Sequence, residues 1–159
     1  MGLFDVRTVT ATTDAETIGD NKVICQSVEI TGAFSSKNNG SMIQSITILD
    51  ETTTGPAVDV VFSTSNTAIS DDEGKAVGED VADLDDMLAN VVGHVSVVAG
   101  DYTNLIDSSI ATKSNINLVV KGDGSSTSLY MHIINRSGGN WVATATDNMR
   151  VKIGFVKNC

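Results

Sequence analysis

The chain has 159 residues and a formal net charge of −10, with 20 acidic against 10 basic side chains and 4% aromatic residues. That balance opposes binding to nucleic-acid phosphates and to anionic membrane surfaces, both of which need clustered Lys and Arg. No apolar run reaches the roughly eighteen residues that span a bilayer, and the start Met1-Gly2-Leu3-Phe4-Asp5-Val6-Arg7 lacks the basic and apolar regions of a secretory leader. Position 6 is Val, which also fails the myristoylation pattern after Gly2. A chain of this size buries roughly 68–70% of its unfolded surface, so one self-sufficient domain over 1–159 is expected.

Period-two alternation of polar and apolar residues recurs along the chain, separated by turn formers. Val6 to Thr13, rich in β-branched residues, reads as the first strand, preceded by an N-terminal arm at 1–5. Lys22 to Thr31 is a second strand, and Asn39-Gly40 turns into a third over Ser41–Asp50. Pro56 precedes a fourth strand, Ala57–Thr64, where its missing N–H is tolerated. The stretch Ser65–Gly93 breaks the alternation. Within it Val81, Leu84, Leu88 and Val91 recur at helical spacing behind Asp80 as N-cap, which predicts one short α-helix near residues 80–90. Strands resume at His94–Val98. Leu105–Asp107 and Ile110–Ala111 read as short edge pieces, and Asn115–Lys121 and Ser128–Arg136 as a hairpin across Gly122-Asp123-Gly124. Trp141–Thr146 and Met149–Lys157 complete the set.

This pattern predicts an all-β domain, a two-sheet β-sandwich of jelly-roll type, with a closed barrel as the alternative. Met42, Ile46, Ile48, Leu129, Met131 and Ile133 are assigned to inner faces, and His132 to the outer face of its strand.

Chemistry is scarce. The only histidines, His94 and His132, read as surface or rim residues, and no Gly-x-Ser-x-Gly elbow is present. Cys25, in an apolar run, reads as a small buried hydrophobe and Cys159 as a terminal thiol; neither has zinc spacing. The carboxylates from Asp71 to Asp86 lack the alternation and late Glu of a calcium loop, so they read as a solvated face or a contact for a basic partner. Gly122-Asp123-Gly124 lacks the Lys of a phosphate loop. No catalytic, cofactor or metal residue is assigned, and no cofactor is expected.

The segment Ser41–Arg136 resembles small virion proteins of tailed phages. The resemblance is carried by Ile43-Gln44-Ser45-Ile46-Thr47-Ile48-Leu49-Asp50-Glu51, Ala57-Val58-Asp59-Val60-Val61-Phe62, Val95-Ser96-Val97, Asp101-Tyr102, Ala111-Thr112-Lys113, Asn117-Leu118-Val119-Val120-Lys121 and Ser126-Thr127-Ser128-Leu129-Tyr130. It implies a non-enzymatic structural protein of the particle, of the capsid decoration (cement or knob) type. Such a protein is made in the host cytoplasm, sits on the capsid surface, binds the major capsid protein and often works as a dimer or trimer. A tail- or fibre-associated sandwich binding host surface glycans is the alternative. Two regions are candidate capsid contacts: Leu3 and Phe4 in the arm, which otherwise cap the domain's own core, and Asp80, Asp83 and Asp86 on the helix, which otherwise form a solvated face.

Overall fold

Apolar residues of the strands predicted over 41–50, 57–64, 128–136 and 149–157 meet across a two-layer core. The computed structural model describes residues 3–13, 16–70, 73–78, 88–143 and 149–157. Its strands are β1 (Leu3–Ala11), β2 (Thr17–Ile18), β3 (Val23–Ile30), β4 (Gly40–Asp50), β5 (Val58–Ser63), β6 (Val91–Val97), β7 (Tyr102–Leu105), β8 (Ser108–Lys121), β9 (Leu129–Asn135), β10 (Trp141–Val142) and β11 (Met149–Lys157). A 3-10 turn over Ala99–Asp101 precedes β7. Residues 88–90 form a helical turn; the rest of the helix predicted at 80–90, with Asp80, Asp83 and Asp86, lies outside the described residues.

One sheet has the order β1-β11-β4-β8-β7, a second β3-β9-β5-β6, and β10-β2 form a small ribbon. All ladders are antiparallel. Leave aside the short β7 and number the remaining strands of the two large sheets in chain order. The orders become 1-8-3-6 and 2-7-4-5, and the paired strands are first with last, second with seventh, third with sixth, fourth with fifth. The chain is thus one long antiparallel hairpin rolled over itself into two sheets. That winding is the jelly roll, and two separate sheets replace the barrel alternative. Ile46, Ile48, Val151, Ile153 and Phe155 from one sheet meet Val58, Val60, Phe62, Met131 and Ile133 from the other in a single buried cluster.

Three expectations are corrected. The predicted hairpin of 115–121 with 128–136 does not form: β8 pairs with β4 and β7, whereas β9 pairs with β3 and β5. Its Gly-rich loop instead carries the chain from one sheet to the other, because rolling gives each strand a partner distant in sequence. Leu105 does lie in a short edge strand, β7, but Ile110-Ala111 is no edge piece: it belongs to the 14-residue β8, between β4 and β7. Met42 is only half-buried, while Ile43 is fully buried. Ser45 pairs with Gly154 and Ile43 with Phe155, so Gln44 is an extra residue on β4. This bulge shifts the inward set from 46 and 48 to 43 and 41, breaking the period of two.

Candidate functional site

His132 is the one imidazole placed where chemistry would matter. It lies on β9 and is fully buried, not at the rim as its alternating position suggests. The cause is the connection after β5, which folds back over the outside of the second sheet. There Ile69 packs with Val23, Ile134 and Val61 in a separate apolar cluster, and the Gln26 side-chain carbonyl accepts from the Ile69 and Ser70 N–H groups at 3.0 and 3.2 Å. Outer-face residues of β9 therefore become interior.

The ring is held from both sides. Ser27 sits at a β3 bulge with φ 54°, and its N–H donates to His132 Nδ1 at 3.1 Å. Nδ1 must then be unprotonated, so the neutral ring carries its proton on Nε2 and donates to Ser63 Oγ at 2.9 Å. The Ser63 hydroxyl in turn donates to the Ser65 carbonyl at 2.9 Å. A nucleophilic serine needs the opposite tautomer, with Nε2 free to accept and Nδ1–H oriented by an acceptor. Burial also depresses the imidazole pKa to about 4. This Ser–His pair is a structural clasp across β3, β9 and β5, and it is not arranged as a catalytic dyad.

Three further charged or acidic side chains are engaged in the fold in the same way. The Asp50 carboxylate is fully buried and accepts from Thr52 N–H (3.0 Å), Thr52 Oγ1 (2.7 Å) and Gly55 N–H (2.8 Å), with the Trp141 indole N–H at 3.4 Å. It ties the β4–β5 turn to β10. Lys157 is buried at the end of β11, and its Nζ meets Asp5 Oδ2 at 2.5 Å while Arg7 Nη2 meets the same oxygen at 2.7 Å. The hydrogen bond from Lys157 holds the Asp5 carboxyl below the usual carboxylate range. Cys25 is buried and unpaired, and burial pushes its thiol pKa up, which keeps it an inert thiol. Among the described residues no group of three or more His, Cys, Asp or Glu could hold a metal ion. An open cleft of about 490 Å³ between β1 and β3 is lined by Thr, Ser, Gln and Val side chains with Glu73 as the one ionisable group.

The surface is more distinctive than the interior. Leu3 and Phe4, read from the sequence as an arm, lie in β1, paired with Lys157 and Val156. Both side chains are nevertheless exposed, Phe4 to 61%. Across the outer face of the first sheet the register aligns Phe4, Val156, Met42 and Val119 in one row over β1, β11, β4 and β8. Val119 is 63% exposed, and Val6 lies next to Phe4 on the same side. Gly154 belongs to this face: a Cβ there would come within 2.5 Å of Ser45 Oγ and 3.5 Å of the Phe4 ring, so Ser45 leaves no room for a side chain beside Phe4. Further along the strands, Thr8, Thr47, Leu49, Ile110, Arg150 and Lys152 line a shallow depression of about 220 Å³. The two acids within these four strands, Asp5 and Asp50, occupy inward positions, so among the described residues the outer positions carry no carboxylate. Ile106, at the β7–β8 turn, is 99% exposed. The row was hidden in the sequence because Met42 and Val119 look like ordinary strand residues until the Gln44 bulge and the register put them beside Phe4.

No protein-family model matches the chain, and none of the curated proteins matches it. Among solved structures it is similar to a chain of the infectious bursal disease virus Gt strain, with a TM-score of 0.38 and 12% identity over 98% of this chain; it spans 32% of that one. It is also similar to a chain of desmodium yellow mottle tymovirus, with a TM-score of 0.31 and 12% identity over 100% of this chain and 84% of that one. The fold assignment rests on the strand order given above.

Proposed function

We propose that this chain is a non-enzymatic structural virion protein that decorates and stabilises the outer capsid surface of a tailed phage, with the major capsid protein as its partner. The observation that carries the reading is a jelly roll whose buried His132, Asp50 and Lys157 side chains are engaged in tying its own strands and turns together, while apolar side chains stand exposed on one sheet face and one hairpin tip. Jelly rolls recur in capsid and lectin domains, and exposed apolar rows mark surfaces that are covered in use. The net charge of −10 suits a protein that must stay soluble at high copy number before it docks. Leu3 and Phe4 belong to the proposed contact surface. A glycan-binding role draws less support, because Trp141, the strongest stacking platform in the chain, is fully buried.

Mass spectrometry of extensively washed particles, together with cryo-electron microscopy of their surface, tests the proposal. The chain is expected at many copies per particle on the shell exterior. Its absence from washed particles, or its localisation to the tail tip, removes the reading.

A further inference from the structure

We infer that the outer face of the first sheet is the docking face, and that its partner is a protein surface pairing apolar side chains with carboxylates. This rests on the virion reading above and adds to it the face and the chemistry of what covers it.

Charge carries the argument. In a chain with 20 carboxylates, the outer positions of β1, β11, β4 and β8 hold none, yet they hold three cations, Arg150, Lys152 and, at the end of β8, Lys121. Arg150 already meets Glu51 at the rim of the face, 3.3 Å away. Lys152 is exposed and lines the depression beside Thr8 and Thr47. On this face an approaching acidic surface meets a lysine flanked by hydroxyls. The apolar row at Phe4 lies four residues along the strand from Lys152, about 13 Å at the usual rise. A complementary partner therefore sets its apolar anchor and its nearest acid about that far apart.

A second copy of the chain fits less well. Both copies carry −10, and stacking the same faces sets Lys152 of each against outer strand positions that carry no acid. The face measures about 20 by 30 Å from four strands at the usual spacing and nine residues at the usual rise, less than the area of about 800 Å² per partner of a stable binary interface. A partner that displays many copies compensates for this through avidity.

Three variants are tested for co-sedimentation with particles of the encoding phage that lack this chain: Phe4→Ser with Val119→Ser, Lys152→Glu, and the off-face control Lys37→Glu. All replace exposed side chains, and retained circular dichroism and urea midpoints confirm folding. The inference expects at least about tenfold weaker binding for the first two and no change for the control. It also expects added salt to weaken wild-type binding while barely changing what remains for Lys152→Glu. Wild-type protein that does not sediment with particles overturns the virion reading and this assignment together. Wild-type binding that all three variants share overturns the face alone. A concentration-dependent dimer in sedimentation equilibrium, lost in the face variants, overturns the partner in favour of a second copy.

Discussion

Acidification should weaken this fold through His132 before its carboxylates begin to titrate. The ring is neutral when folded, with a pKa of about 4 against 6.5 for the free side chain. Below pH 6.5 the unfolded chain takes up a proton that the folded chain refuses. The contribution is therefore complete above 6.5 and is lost as pH falls from 6.5 towards 4. At about 1.4 kcal/mol per pH unit, the full difference amounts to about 3 kcal/mol, of which about 2 kcal/mol is gone at pH 5. Protonation at Nδ1 would also set the new N–H against the Ser27 N–H that now donates to it. Urea unfolding at pH 7.5 and pH 5 measures the loss. His132→Gln, which has no titrating ring, should be less stable at pH 7.5 but should lose about 2 kcal/mol less between the two pH values. In NMR the His132 ring signals should stay constant down to pH 5. Parallel losses for both proteins, or a ring titrating near 6.5, would refute the burial argument.

Asp5→Asn should cost about 2–3 kcal/mol in urea unfolding, since it leaves the buried Lys157 ammonium without its carboxylate. Because the Asp5 pKa is depressed when folded, this difference from wild type should persist at neutral pH and shrink as pH falls below about 4. Asp50→Ala should cost about 3 kcal/mol or more, because the Thr52 and Gly55 N–H groups and the Trp141 indole lose a shared buried acceptor. Its signature is a red shift of tryptophan emission from the only indole in the chain. Gly93→Ala places a Cβ 2.7 Å from Leu118 Cδ1 where β6 approaches β8. It should destabilise by about 1–3 kcal/mol, and Leu118→Val in the same chain should recover part of that in a double-mutant cycle.

Much of the fold is legible in local residue order. The alternation in Ser41–Asp50, Ala57–Thr64 and Met149–Lys157 places β4, β5 and β11 nearly to the residue, because period two is a property of each strand's own backbone. The chemical quiet is legible too: two histidines and two cysteines cannot furnish many active sites. The inside of β9 is a different matter. His132 alternates as an outward residue, and only the fold-back of Ser65–Ser70 over the second sheet buries it, through contacts between residues more than sixty positions apart.

The same division runs through the candidate docking face. Phe4, with its neighbour Leu3, could be picked out from the sequence, since two large apolar residues near the start of an acidic chain invite attention. Met42, Val156 and Val119 could not, because a row across four strands is a statement about register. Strand pairing in a rolled hairpin joins first to last and third to sixth, and a single bulge at Gln44 decides which side of β4 Met42 shows. Composition and periodicity thus determined that the chain builds acidic, all-β structure. Which residues share a face, which polar groups are sealed inside and where the carboxylates are missing were decided only by long-range pairing, for which no local rule exists.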